Sequence, residues 1–333
     1  MEEDKIVSHQ QTQHMSFSSF DELRQAVSGF DIDFRPLSHN KSQNSPPETM
    51  FQCNEGSRLL SHTHLHCHVE QRGNVQTGIR ALALPVNQNT GIQSWFGQEV
   101  TADSLLLFPD HGEIDCISKP GFEVFVLSLP ESELLAYAEY MGIPEPDKWI
   151  DGAERIIRCD PKARENLLST LKNFQRFSIN QQVGHDEAGH DITGQPLLLK
   201  DMVLEKILDM MVTPAPVSMK IPPETMQRCI KRLREFIEAH KREPLQVKDL
   251  CKVADVSERT LQRVFKHYYD VSPKQFIKSQ RLYGLHQDLR IADPAVSRVE
   301  ILARYWGYWH FGQLARDYRH LFGELPSETL NRP

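Results

Sequence analysis

The sequence predicts an α+β protein of two domains: a β-rich half with flanking helices, then an all-α half. Three observations predict it. At 333 residues the chain exceeds what one ordinary core organises. Short apolar runs broken by turn residues give way, beyond Pro130, to helical periodicity. The charge also changes sign along the chain. Ile221–Pro333 holds 20 Lys and Arg against 14 Asp and Glu, a balance of +6, whereas the first 220 residues hold 18 against 31, a balance of −13. The net charge of −7, which alone would argue against a nucleic-acid partner, is therefore an average over two unlike halves.

In chain order, residues 1–19 are rich in Gln, His and Ser and read as a loose segment. Residues 20–212 form the first domain. Between Pro47 and Pro130, RLLSHTHLHCHVE, TGIRALALPV, IQSWFG, SLLLFPD, EIDCIS and EVFVLSLP are short and regularly spaced, as in a small β-barrel or sandwich. ESELLAYAEYMG, PKARENLLSTLKNFQRF and PLLLKDMVLEKILDMMV then carry helical spacing. Residues 213–223, with four prolines, cannot continue a helix and form the linker. Residues 224–333 form the second domain.

That second domain opens on an amphipathic helix, MQRCIKRLREFIEAHKRE, followed by helix, turn and helix in LQVKDLCKVADVSERTLQRVFKHYYDVSP. Ser257 is placed to cap the second of these helices. Leu261, Val264, Phe265 and Tyr268 share its core face, and Arg259, Gln262, Arg263 and Lys266 share the opposite face. Two arginines, an amide and a lysine suit a helix in a major groove: Arg bonds guanine edges, Gln reads adenine and Lys takes phosphate. The motif recurs 53 residues on in VEILARYWGYWHFGQLARDYRHLFGELP, matching Leu261 to Leu314, Arg263 to Arg316, Phe265 to Tyr318, Lys266 to Arg319 and Pro273 to Pro326. Gly307 supplies the turn with a residue free to take positive φ, while Asp255 sits in the turn of the first copy. Between the copies SPKQFIKSQRLYGLHQDLR, with Ser272 as N-cap and Pro273 at the first helical position, reads as a stiff spacer. Two recognition helices so fixed would enter successive major-groove segments ~34 Å apart.

SERTLQRVF, SPKQFIKSQRL and WGYWHFGQLARDYRHLFGELPSETL together resemble the double helix-turn-helix module of the AraC/XylS transcriptional regulators, over roughly Met226–Leu330. The resemblance implies base contacts from Arg259, Gln262 and Arg263 in the first motif and from Gln313 and Arg316 in the second. With Lys266, His310 and Arg319 these complete the candidate DNA-binding set. Gly312 and Ala315 stand where the family is often polar, so the second motif is expected to read fewer bases and hold mostly phosphate. The resemblance also implies a cupin-like β-barrel over Pro47–Pro130 that binds a small-molecule effector, and helices that contribute to a homodimer. The function implied is an effector-responsive activator of a catabolic operon, with promoter DNA and RNA polymerase as partners, no cofactor and no enzymatic activity.

SHTHLHCHVE supports an alternative, a metal-binding cupin-type sensor or enzyme fused to the DNA module. On one strand His62, His64, His66, His68 and Glu70 would share a face, and histidine is the commonest transition-metal ligand. The carboxylate falls one position too far from the His62/His64 pair, and Thr63, Leu65, Cys67 and Val69 make the better core face. A solvated or pocket-lining histidine row is therefore preferred to a metal site. GxSxG, GxxxxGK[ST] and GxGxxG are absent. The longest apolar runs, Ser104–Pro109 and Phe122–Pro130, fall short of the ~20 residues of a membrane span. The N-terminus is acidic and polar, unlike a signal peptide, and the six scattered cysteines read as free thiols. A cytoplasmic location is expected.

Overall fold

A computed structural model describes residues 11–27, 30–38, 46–109, 113–140, 156–183, 206 and 224–332. The linker expected at 213–223 lies outside them, as does the helix expected over 196–212 apart from position 206. The described strands are β1 (Gln11–Phe17), β2 (Phe30–Ser38), β3 (Glu48–Glu55), β4 (Arg58–Leu65), β5 (His68–Val75), β6 (Ile79–Pro85), β7 (Ile92–Trp95), β8 (Ser104–Leu107), β9 (Glu113–Ser118), β10 (Phe122–Pro130) and β11 (Ile156–Arg158). The helices are α1 (Phe20–Ala26), α2 (Glu131–Tyr140), α3 (Pro161–Val183), α4 (Glu224–His240), α5 (Val247–Ala254), α6 (Glu258–Tyr269), α7 (Pro273–Ile291), α8 (Val299–Tyr305), α9 (Phe311–Phe322) and α10 (Pro326–Leu330). No described helix is long and apolar enough to cross a membrane.

The strands form two antiparallel sheets, ordered β1-β3-β4-β10-β6-β8-β11 and β2-β5-β9-β7. No ladder joins them among the described residues, so the expected cupin-like closed barrel is replaced by a two-sheet sandwich. The reason lies in the strands of the large sheet, which are apolar on both faces. Leu82, Leu84, Phe125 and Leu127 turn to one side, where Leu134 of α2 and Leu167, Leu171 and Phe174 of α3 cover them. Ala81, Ala83, Val124 and Val126 turn to the other side and meet Ile32, Phe34, Val69 and Ile114 of the small sheet. A period of two thus feeds two cores at once. The apolar side of α3 is used on its own sheet.

Two local expectations also change. Gln11–Phe17, inside the segment read as loose, is an edge strand in register with Asn54–Glu48 of β3, with Thr12 and Phe17 buried. The histidine-rich run is not one strand either. The chain leaves the large sheet after Leu65 and enters the small sheet at His68.

In the C-terminal half the sequence signals are met closely. The Ser257 side chain accepts from the Thr260 backbone N–H at 3.2 Å, and Ser272 with Gln275 forms a capping box ahead of Pro273. Gly307 takes φ +79° and Asp255 φ +53°, both left-handed. The spacer α7 is shared by two small cores. Its Phe276 and Ile277 pack with Leu250, Leu261, Phe265 and Tyr269, while Leu282, Leu285 and Leu289 pack with Trp306, Leu314 and Tyr318. The tip of the Trp306 ring abuts α7 at Gly284, where a β-carbon would stand 2.0 Å from Cη2, and its indole N–H donates to Asp288 at 2.7 Å. Gly284→Ala is therefore expected to destabilise the chain by ~1–3 kcal/mol through overpacking, read by chemical denaturation. The loss should shrink in a Trp306→Leu background, which removes the obstructing ring.

Candidate nucleic-acid interface

Helix α6 sorts its residues as its spacing demands. Leu261, Val264, Phe265 and Tyr268 are buried, and Arg259, Gln262, Arg263 and Lys266 are exposed. Helix α9 repeats the arrangement, with Leu314 and Tyr318 buried and Gln313, Arg316 and Arg319 exposed, as is His310 at its N-cap. The exposed side chains are lightly tethered along their own helices. Gln262 donates to Glu258 at 3.3 Å, Gln313 donates to Asp317 at 2.9 Å, and Lys266 pairs with Asp270. Such contacts on a solvated helix face cost little to exchange for a phosphate or a base edge. Each recognition helix thus presents a basic, hydrogen-bonding face while its apolar face is fixed to α7.

The first helix pair is also fixed to the β-sandwich. The outer face of the small sheet carries Asp33, Arg35, Glu70 and Asp115, and α4, α6 and α7 lie against it. Arg234 of α4 donates through both terminal nitrogens to Asp115, at 2.8 and 2.5 Å, and through Nε to the Tyr269 hydroxyl at 2.6 Å. The Tyr268 hydroxyl donates to the same Asp115, and Glu70 lies 3.8 Å from Arg234. Burial opposes the charge on Arg234, but Tyr269, Asp115 and Tyr268 outweigh it and hold its pKa well above the usual value. Gln280 donates to Glu70 at 3.0 Å, and Tyr283 donates to Asp33. Farther along α7, His286 meets Asp21 of α1 at 3.0 Å and Tyr318 at 2.6 Å, and Arg290 pairs with Asp21.

The metal-site candidates are dispersed by the same geometry. His62 stacks on Phe125 at 4.2 Å and meets Glu123 at 3.0 Å. His64 and His66 stay together, ring centroids 4.1 Å apart. His68 bonds Ser38 at 3.2 Å, and burial pushes its pKa down to about 4. Glu70 is taken by Gln280 and Arg234. No group of three or more His, Cys, Asp or Glu arranged to hold a metal ion occurs among the described residues. The odd-numbered residues Thr63, Leu65, Cys67 and Val69 are all buried, as expected of a core face, but His68 and Glu70, expected on the outer side, are buried as well.

The sandwich encloses a slot of about 60 Å³ between its sheets. Phe30, Phe34, Trp95 and Phe108 line it, with Gln52, Ser61, Thr63 and Gln71 as polar groups and no charged side chain among the described residues. The slot and the docking carboxylates were missed in the sequence. Their one signal is α7, where Ser279, Gln280 and His286 interrupt an apolar pattern on a helix buried nearly all round.

Two helix-turn-helix units sharing one spacer, each with a solvated basic face, define a DNA-binding protein with a β-sandwich companion. Residues 250–332 match the family model described as a helix-turn-helix domain. The chain is 30% identical over 260 residues to "XylDLEGF operon transcriptional activator 1" of Pseudomonas putida, covering 73% of this chain and 76% of that protein. It is 33% identical over 109 residues to "Probable thc operon regulatory protein" of Rhodococcus erythropolis, an alignment that spans about a third of either chain. A solved probable AraC family transcriptional regulator from Rhodopseudomonas palustris is 35% identical, covering 32% of this chain and 99% of that one, with a TM-score of 0.30. The chain belongs to the AraC/XylS family of transcriptional regulators.

The docked arrangement has a direct test. Asp115→Ala leaves Arg234 buried without its main partner and is expected to cost ~3–5 kcal/mol in denaturant unfolding. A combined Asp115→Leu/Arg234→Met replacement is expected to recover most of that loss, because neither charge is then left unpaired.

Proposed function

We propose that the protein is a sequence-specific, effector-responsive transcriptional activator of a catabolic operon. In this reading Arg259, Gln262, Arg263 and Lys266 of α6 and His310, Gln313, Arg316 and Arg319 of α9 contact promoter DNA. The effector occupies the slot in the sandwich, where the lack of charged lining selects an uncharged, largely apolar molecule with one or two hydrogen-bonding groups. An activator acts on RNA polymerase, so the polymerase belongs among the partners. The assembled form is a homodimer, to which the helices expected between Pro130 and Val212 contribute.

One observation carries the link between effector and DNA. In the small sheet alternate residues face the slot and the DNA-binding half. Ile114 lines the slot and Asp115 holds Arg234; Gln71 lines the slot and Glu70 meets Gln280; Phe34 lines the slot while Asp33 and Arg35 reach α7. A ligand that shifts these strands therefore shifts the seats of the recognition helices with them. Its effect is set by its differential affinity for the two arrangements.

Arg263→Ala is expected to weaken binding to a selected promoter fragment by ~1–3 kcal/mol and to relax specificity. Lys266→Ala is expected to weaken all sequences alike and to flatten the salt dependence by about one counterion. Electrophoretic or fluorescence titration at several salt concentrations separates the two, and wild-type behaviour in both variants would remove α6 from the interface.

The effector half is tested by melting the protein against a panel of uncharged aromatic and aliphatic compounds. A true effector at a hundred times its Kd is expected to add ~2.7 kcal/mol of stability. Ala83→Leu, which fills the slot from β6, is expected to abolish that gain and leave DNA affinity without effector intact.

A further inference from the structure

The two helix-turn-helix copies differ at the surface they turn outward. With the 53-residue offset, Arg259 and Gln262 of α6 correspond to Gly312 and Ala315 of α9. The second recognition helix has therefore no long polar side chain at those positions, and the space around Gly312 is open, with no atom within 4 Å of where a β-carbon would stand. Val256, packed against the first core, corresponds to Trp309. Trp309 is 69% exposed, whereas Trp95 and Trp306 are 3% and 2% exposed. It directly precedes the N-cap of α9, the end of a recognition helix that meets base edges. The guanidinium of Arg304 lies 6.0 Å from the Trp309 ring and 5.7 Å from the Phe311 ring, bracing both.

An exposed indole beside the small residues Gly312 and Ala315 is poorly matched to a polar base edge, because its single N–H can pair with at most one acceptor and every other donor or acceptor under the ring would lose water without gaining a partner. The major groove offers a single apolar group, the 5-methyl of thymine. We propose that the second helix-turn-helix reads its half-site through thymine methyl groups, with Trp309 as the principal contact and Gly312 and Ala315 permitting the close approach. This rests on the assignment of α6 and α9 as recognition helices. It replaces the expectation that the second motif holds mostly phosphate with a defined specificity: A·T pairs recognised by shape and apolar contact, while Arg316 and Arg319 supply the charge.

The test uses the full-length protein and a duplex that it selects from a random library, with each thymine replaced in turn by deoxyuridine, which lacks only the methyl. Replacement at one or two positions of a single half-site is expected to weaken wild-type binding about five- to tenfold. Trp309→Ala is expected to lose a similar factor on the unmodified duplex, to lose nothing further on the deoxyuridine duplex, and to bind an unselected duplex as wild type does. Trp309→Phe should restore most of the discrimination. Quenching of tryptophan fluorescence on DNA binding should disappear in Trp309→Ala. Deoxyuridine tolerated at every position, or Trp309→Ala weakening all duplexes equally, would overturn the proposal, the latter pointing to a sugar-phosphate contact. Arg263→Ala and Arg316→Ala in the same assay separate the two levels. If both bind as wild type, the recognition-helix assignment fails; if both weaken while deoxyuridine is tolerated, only the thymine contact does.

Discussion

The arrangement of the whole molecule depends on a buried guanidinium. Arg234 enters the outer face of the small sheet, with side-chain exposure of 12%, and finds Asp115 at 11% and Glu70 at 1%. Desolvating such ions costs several kcal/mol each, so the cluster contributes little to net stability compared with an apolar seam of the same size. Its value is in geometry. A guanidinium fork satisfied by the Asp115 carboxylate and the Tyr269 hydroxyl, with Tyr268 donating to the same carboxylate, favours one orientation of α4 and α6 on the sheet, and a shifted domain would leave charges unpaired. The apolar part of the same interface, where Leu37 and Ile117 of the small sheet pack with Ile230, Leu233 and Leu261, supplies burial, and the ion cluster supplies direction. The Asp21 pairs with His286 and Arg290 repeat the principle toward the C-terminal end of α7, so the spacer is tied to the sandwich from Gln280 to Arg290.

That seating gives the small sheet two jobs on opposite faces. Its inner face completes a core that includes a slot, and its outer face carries carboxylates bonded to the DNA-binding half. Because a strand alternates sides, the path from slot to docking ion is one peptide unit long at β2, β5 and β9. A ligand that moves a strand by a fraction of an ångström therefore acts where hydrogen-bond geometry is least forgiving. To move a two-state equilibrium from 1:99 to 99:1 it must distinguish the states by ~5.5 kcal/mol. The cost of leaving one buried charge of this cluster unpaired is of that order.

How much of this was legible in the sequence follows from the range of the interactions involved. Caps, turns and the two faces of α6 were readable because each rests on residues three or four apart: Ser257 with Thr260, Ser272 with Gln275, Leu261 with Phe265. The repeat at 53 residues made the second copy readable through the first. The β half was legible as a small barrel or sandwich, but which strand joins which sheet was not. Alternation continues unbroken through His62–Glu70, and only the change of pairing partner, from β3 and β10 to β2 and β9, reveals that the chain turns at His66 and Cys67. Glu70 shows the limit most plainly. It was grouped with four nearby histidines, whereas its hydrogen-bond partner is Gln280, 210 residues away. Local pattern identifies the residue as unusual; the long-range contact decides what it does.

The opposite charges of the two halves take on a more specific meaning once those contacts are known. A −13 segment beside a +6 segment suggests general attraction between the halves and repulsion of DNA by the first. The structure shows instead that particular acids are seats. Asp21, Asp33, Glu70 and Asp115 are bonded to α4, α6 and α7, and Arg35–Glu238 and Lys119–Asp270 run in the reverse sense. The cations that dock, Arg234, His286 and Arg290, are not the exposed cations of α6 and α9. The docking cations stand on α4 and α7, whereas the exposed basic rows stand on α6 and α9. The two sets meet at Asp270, which pairs with both Lys266 of α6 and Lys119 of the sandwich. An effector in the slot, as proposed, would act by changing how those helices are held.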